Sequence, residues 1–226
     1  MGKSEVSIKE RIKKMKTRQE IKALAKEAFK EQRTASILIM LLVVAIVIVA
    51  VVCTFIPILG YILYAAILVA ILPFSVGVYG AFLKVYRREK IEAAEPLKRL
   101  SINFTRKLGG MLWVSLWEFL WMLLLIVPGI IKAISYSMTV FILSECPNVA
   151  AKDAIKLSMR MTDGHKAELF VLYLSFLGWV VLSGLTLGIL LVVYTGPYMY
   201  TTFSGYYTEL RNQAIASGKI KAEELQ

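Results

Sequence analysis

The side chains that most often carry catalysis or bind metals are scarce in this sequence. One histidine, His165, and two cysteines, Cys53 and Cys146, occur among its 226 residues. A zinc site takes three or four ligands close together, and no CxxC pair, HExxH helix or glycine-rich phosphate loop accompanies His165. We therefore expect no enzyme, no metal site and no cofactor, and we interpret His165 as an interfacial or helix-end anchor.

Two charged residues, Glu118 and Lys132, lie inside apolar stretches, where a charge is costly and is usually paired, neutralised or turned toward water. At about 1.5 Å of rise per residue, Glu118 comes level with Thr139, whereas Lys132 can extend outward. Two interpretations stay open: a polar clamp between helices and a proton- or ion-relay carboxylate. We expect Glu118 to face the bundle interior beside Ser135, Tyr136 or Thr139, mostly protonated, because a direct ion pair would need both side chains extended.

Membrane helices must position these residues, because the apolar residues come in long runs. The chain is 58% hydrophobic and 19% charged, whereas about a quarter of a soluble domain is charged. Each run is near the roughly 20 residues that cross a bilayer core. We predict an all-α fold: a polytopic membrane bundle of six transmembrane helices in three hairpins, with an N-terminal amphipathic interfacial helix. The predicted spans are Ser36–Ile56, Tyr61–Leu83, Leu108–Ile126, Ile130–Leu143, Leu169–Leu187 and Ile189–Tyr207.

Proline and glycine mark the predicted helix breaks. Pro73 lies inside span two, where it removes a helical hydrogen bond and is expected to kink the helix. Pro128 and Gly129 lie near the middle of the central apolar block and are predicted to end span three and turn the chain. Gly196 and Pro197 are predicted to interrupt span six.

Spans two and six share a weak pattern that a parallel internal repeat would explain. Proline interruptions at corresponding positions in two halves point to a transporter binding site. Chance similarity between aromatic-rich helices is the competing and preferred explanation. The matched pairs, at one constant offset, are Pro73 with Pro197, Phe74 with Tyr198, Tyr79 with Phe203, Phe82 with Tyr206 and Arg87 with Arg211.

The distribution of positive charge predicts the orientation of the chain. Of the 27 Lys and Arg residues, 26 lie in four segments: the N-terminal segment, residues 84–107, residues 147–168 and the C-terminal tail. The remaining one is Lys132. By the positive-inside rule these four segments face the cytoplasm. The net charge of +11 predicts attraction to anionic lipid at that face, and no nucleic-acid binding. The predicted divisions are a cytoplasmic basic segment 1–34, a six-span membrane domain 35–208 and a cytoplasmic tail 209–226.

The N-terminal segment carries two capping boxes, Ser7 to Glu10 and Thr17 to Glu20. A basic amphipathic helix from about Thr17 to Arg33 follows the second box, and we predict that it lies along the inner membrane surface. The alternative is a cap packed on the cytoplasmic ends of the bundle, and both can hold. The apolar stripe of this helix comprises Ile21, Leu24, Ala25, Ala28 and Phe29.

The polar connector after span four contains a second amphipathic pattern. Gly164 ends this pattern, as glycine often ends a helix. We therefore predict a short helix within residues 147–166. Its residues with helical spacing are Ala151, Ala154, Ile155, Ser158 and Met159.

Several longer motifs resemble the bacterial membrane proteins grouped as domain of unknown function 975. They are TRQEIKALAKEAFK, VPGIIKAISYSM, ILSECPNVAAKDAIKLSMRMTDGHKAELF, LSFLGWVVLSGLTLGI and PYMYTTFSGYYTELR, and together they cover about Thr17 to Arg211. The resemblance implies six spans and a bacterial cytoplasmic membrane. It brings no established activity and no catalytic residues.

Two functional classes fit the sequence. The first is a non-catalytic accessory or envelope-homeostasis factor, with a membrane-protein partner or a second copy left open. The alternative is a small transporter or export component with a cavity near Glu118 between spans two, three, four and six. A water-accessible polar cavity at Glu118 would favour the transporter, whereas a sealed bundle would favour the accessory factor.

Overall fold

A computed structural model describes residues 15–225, and the regular structure over that range is entirely helical. The all-α class is therefore confirmed for these residues; the predicted capping box at Ser7 to Glu10 lies outside them. The helices are α1 Arg18–Glu31, α2 Arg33–Cys53, α3 Leu59–Tyr86, α4 Glu95–Leu100, α5 Phe104–Leu124, α6 Ile126–Tyr136, α7 Thr139–Glu145, α8 Ala151–Thr162, α9 Lys166–Leu185 and α10 Gly196–Ala216, with a π-helical turn Leu191–Thr195 and a 3₁₀ turn Ala222–Leu225.

Five helical segments within residues 15–225 are long and apolar enough to cross a membrane. They coincide, within a few residues at each end, with the first five predicted spans. Protein buries 28% or less of the apolar window in four of them and 56% in Ile126–Glu145. The fold is therefore compatible with a multi-pass membrane protein. The five segments are Arg33–Cys53, Leu59–Tyr86, Phe104–Leu124, Ile126–Glu145 and Lys166–Leu185.

The segment predicted as span six, Ile189–Tyr207, has a different character. It is helical, passes through the π-helical turn and continues to Ala216, beyond the predicted end. Thr201, Thr202 and Ser204 are completely buried within it. Helix α10 packs against α1, α2, α3 and α8, so its polar side chains are covered by protein rather than lipid. The hydropathy of α10 is lower than that of the five apolar segments, and this follows from its central position.

The turn predicted at Pro128 and Gly129 lies earlier in the chain. Leu125 is the extended residue that separates α5 from α6, with φ −161° and ψ 140°. Pro128 falls in the first turn of α6, where the amide that proline lacks has no helical acceptor in any case. Gly129 serves close packing, because a Cβ there would lie 3.0 Å from Cα of Met122 on α5.

Gly196 and Pro197 do not interrupt the last long helix, so the break predicted at these two residues is wrong. The amide of Gly196 donates to the carbonyl of Leu191, five residues earlier, and this π-helical bond keeps the helix continuous. Pro197 then occupies the first turn of α10, where its missing N–H costs little. Pro73 lies inside α3, as predicted.

A break that the sequence analysis did not predict separates α6 from α7 at Ser137 and Met138. Helix α8 folds back against both helices and supplies the missing hydrogen bonds. The Ser158 hydroxyl donates to the carbonyl of Ser135 at 2.7 Å and accepts the amide of Met138 at 3.2 Å. One buried serine therefore bridges the two sides of the break. The short helix predicted within residues 147–166 is present as α8.

Helix α1 begins at the predicted capping box. The Thr17 hydroxyl accepts the amide of Glu20, and the Glu20 carboxylate accepts the amide of Thr17. Ile21 and Phe29 are buried, and α1 packs mainly against α10. Protein therefore covers this face of α1, as the packed-cap alternative requires, while contact with a membrane surface stays a prediction.

Candidate functional site

A cavity of ≈ 430 Å³ is lined by residues of α5, α6, α7 and α9 and by Tyr79 of α3. The cavity has a largely apolar lining. Met122, Ile130 and Phe170 line it and are also exposed on the outer surface of the helices, so the cavity opens sideways between them. Its polar and aromatic lining residues are Tyr79, Ser115, Glu118, Tyr136, Ser137, Thr139 and Tyr173.

Glu118 lines this cavity from α5, together with Tyr136 of α6 and Thr139 of α7. Its side chain is half-buried, and it makes no hydrogen bond or salt bridge to any residue in the range 15–225. The structure therefore places Glu118 on the inner side of its helix, facing the helices that the sequence analysis named. The hydrogen bond to Thr139 or Ser135 is not formed.

Lys132 does not pair with Glu118. Its ammonium lies 4.8 Å from the ring centre of Trp121, where it makes a cation–π contact. Trp121 lies one helical turn beyond Glu118 on α5, so the aromatic ring holds the positive charge away from the carboxylate. The ion-pair alternative is therefore not realised.

Ser135 and Thr139 have different surroundings although both are 1% exposed. The Ser135 hydroxyl donates to the carbonyl of Ile131 at 2.8 Å and does not line the cavity. Thr139 lines the cavity, but its hydroxyl oxygen is fully buried and has no hydrogen-bond partner within residues 15–225. A buried hydroxyl without a partner costs about 1–3 kcal/mol, so Thr139 is an unsatisfied polar group behind the cavity wall.

The cavity walls differ from the predicted set of spans two, three, four and six. The fifth membrane helix, α9, supplies Phe170 and Tyr173, and α10 is not part of the main cavity. A smaller space of ≈ 70 Å³ shares Tyr79 and Tyr173 and extends to Tyr200 of α10. Helix α10 thus contributes only to this inner extension, because α9 lies between it and the main opening.

An aromatic layer lies beyond this extension. The Tyr79 ring meets Phe141 and Tyr200 edge-on, with ring centres 5.0 and 4.9 Å apart. Phe141 in turn stacks on Tyr207 at 5.0 Å. These large side chains separate the cavity from the charged end of the bundle.

A charged cluster around Glu145 lies on the far side of this aromatic layer, and the sequence analysis did not predict it. Arg87 of α3 lies 2.6 Å from one carboxylate oxygen of Glu145. The Tyr207 hydroxyl donates to the other oxygen at 2.7 Å, and Arg211 lies 3.7 Å from it. Arg87 and Arg211 are one of the matched pairs of the proposed repeat. This match was the feature of the sequence that could have indicated the cluster.

His165 and the cysteines form no candidate catalytic centre. His165 lies at the start of α9, with Nδ1 3.5 Å from the carboxylate of Glu168. Within residues 15–225 no group of three or more His, Cys, Asp and Glu side chains could hold a metal ion. Cys53 and Cys146 are both buried free thiols.

Comparison with known proteins gives one match. A family model described as "Protein of unknown function (DUF975)" matches residues 15–135 and 111–214, and these ranges include the cavity and the Glu145 cluster. No curated protein and no solved structure matches the chain.

Proposed function

Because the chain belongs to the DUF975 family of proteins of unknown function, we propose a function from its structure: a non-catalytic integral membrane protein that binds an amphipathic molecule from the bilayer in the cavity at Glu118. It acts as an accessory or envelope-homeostasis factor of the bacterial cytoplasmic membrane. It crosses that membrane six times, with both termini in the cytoplasm and anionic lipid at the cytoplasmic face.

The cavity is the observation that carries this proposal. Its ≈ 430 Å³ are bordered mainly by apolar side chains with a few polar groups at one level, which is typical of small-molecule sites. It opens between exposed apolar helices, so a ligand would enter from lipid rather than from water. Among the described residues, its lining contains neither histidine, lysine nor cysteine.

The six-span arrangement rests on charge and packing. The connections at residues 54–58, 125 and 186–188 carry no charge, whereas the opposite ends hold Lys and Arg clusters. Helix α10 packs against α2 and α3, and the helical segment that leads into it begins directly after residue 188. A central helix needs less hydropathy than one that faces lipid, and this is why we count it as the sixth span.

We expect Thr186→Cys to react with a membrane-impermeant maleimide on intact cells, because Thr186 lies at an outward-facing connection. Ala93→Cys, in the 84–107 loop, is the matched control and should react only after permeabilisation. Burial, and then the charge of Glu145, raises the pKa of the native Cys146 thiol to about 11, so it stays protonated and unreactive. Labelling of Thr186→Cys only after permeabilisation would contradict the orientation.

We expect Ala133→Phe to reduce binding in the cavity at least tenfold, because Ala133 lines it and the added ring would fill part of its volume. The probe is a neutral long-chain alcohol with a photoreactive group, applied to purified protein in phosphatidylcholine nanodiscs and mapped by peptide mass spectrometry. Ala66→Phe is the matched control, since Ala66 is exposed on α3 outside the cavity. Equal labelling of all lipid-facing helices, unchanged by Ala133→Phe, would overturn the proposal.

A transporter is the second candidate, and the inner extension toward Tyr200 favours it. This space continues from the cavity toward the aromatic layer, beyond which lies the Glu145 cluster. Moving these side chains would connect the cavity with the charged end. Energy- or gradient-dependent movement of the bound probe across proteoliposomes would support transport, whereas binding without such movement supports the accessory role.

A further inference from the structure

We propose that the molecule bound in the cavity is an amphipathic amine, with its ammonium group against Glu118 and its apolar chain along the cavity opening. This inference rests on the function proposed above and adds the charge class of the ligand. It is carried by the unpaired carboxylate of Glu118 and the tyrosine rings that line the cavity with it.

The charge of the cavity selects a cation. Glu118 is the one ionisable acid among the lining residues, and no Lys, Arg or His of residues 15–225 lines the cavity with it. The nearest candidate, Lys132, is instead held over Trp121. A carboxylate in an apolar surrounding is stabilised by a matching cation, whereas an anionic headgroup would meet repulsion and desolvation together.

The other polar groups suit an ammonium. Tyr79, Tyr136 and Tyr173 line the same cavity as Glu118, and aromatic faces attract cations when water is excluded. A primary ammonium has three N–H donors. The carboxylate of Glu118 can accept one or two of these.

The remainder of the cavity suits an alkyl chain. Met111, Met122 and Phe170 line it, and flexible methionine side chains adapt to chains of different shape. Met122 and Phe170 are exposed, whereas Glu118 is half-buried. The ligand would therefore enter with its chain continuous with the surrounding lipid and its charged end inward.

The test uses three photoreactive probes that share one alkyl chain and differ only in the end group: primary amine, alcohol and carboxylate. We expect the amine to bind the purified protein in phosphatidylcholine nanodiscs about tenfold or more tightly than the alcohol, and the carboxylate to bind most weakly. Glu118→Gln should remove the preference for the amine, so that the amine and the alcohol bind with similar affinity. Glu223→Gln, on the exposed C-terminal turn, is the matched control and should change nothing.

Thr139→Val is a second control, since it keeps the side-chain volume and loses no protein hydrogen bond. It should leave the preference for the amine unchanged, because the Thr139 hydroxyl is covered and does not reach the ligand. Equal binding of amine and alcohol in the cavity, or an unchanged preference in Glu118→Gln, would overturn this inference while the proposed function stands. Failure of every probe to label the cavity would overturn both.

Discussion

Replacing Glu145 with alanine is expected to lower the free energy of unfolding by about 3 kcal/mol. The substitution leaves Arg87, Arg211 and the Tyr207 hydroxyl without the carboxylate that they share. These groups come from α3 and α10, and Glu145 ends α7, so one side chain joins three helices. Removing one member of such a cluster leaves the other charges only partly solvated, which costs more than the loss of an exposed ion pair.

The measurement is unfolding of the purified protein in mixed micelles with increasing dodecyl sulfate. The matched control is Glu92→Ala, because Glu92 pairs with Lys98 at 2.5 Å but both side chains are well exposed. Exposed pairs contribute about 0–1 kcal/mol. Equal destabilisation by the two alanine variants would show that the Glu145 cluster does not hold the helices together.

The second large effect is expected from Gly205→Ala, which should cost about 2 kcal/mol by overpacking. A Cβ at this position would lie 2.7 Å from Cζ of Tyr86 and 2.9 Å from Cγ2 of Ile21. Tyr86 and Ile21 belong to α3 and α1, so the new methyl group would push α1 away from α10. Gly205 is therefore the position at which α1 docks most closely on the bundle.

Limited trypsin digestion reads out this displacement, because Lys22, Lys26 and Lys30 lie on α1. We expect Gly205→Ala to be cleaved within α1 several-fold faster than the unmodified protein. Gly178→Ala is the control, since a Cβ there meets nothing within 4 Å and alanine favours a helix over glycine. If the two variants were cleaved at the same rate, α1 would not depend on the close approach at Gly205.

The five long apolar helical segments could be predicted from sequence because hydropathy and length are local properties. The turn between α5 and α6 could not be placed correctly in this way. Proline and glycine drew the prediction to Pro128, but proline is also favourable in the first turn of a helix, and the chain turns at Leu125. A side chain larger than that of Gly129 would collide with Met122, and this close contact depends on tertiary packing.

The candidate site was predictable only in part. A lone carboxylate in an apolar helix indicated that Glu118 faces inward, and the cavity lies there. The break at Ser137 could not be predicted, because neither proline nor glycine marks it. The backbone groups on its two sides are hydrogen-bonded by Ser158, which belongs to another helix. The position of Lys132 over Trp121 likewise depends on how α5 and α6 pack.

The bridging role of Ser158 has a consequence for biogenesis. The fourth apolar helical segment leaves the ribosome before α8 does, and until α8 has emerged nothing bridges the Ser135 carbonyl and the Met138 amide. An unpaired backbone group in lipid costs several kcal/mol. The nascent segment therefore favours a straight, fully hydrogen-bonded helix, and we expect it to enter the bilayer in that form and to bend only when α8 docks. The bent helix is then a product of late assembly rather than of insertion.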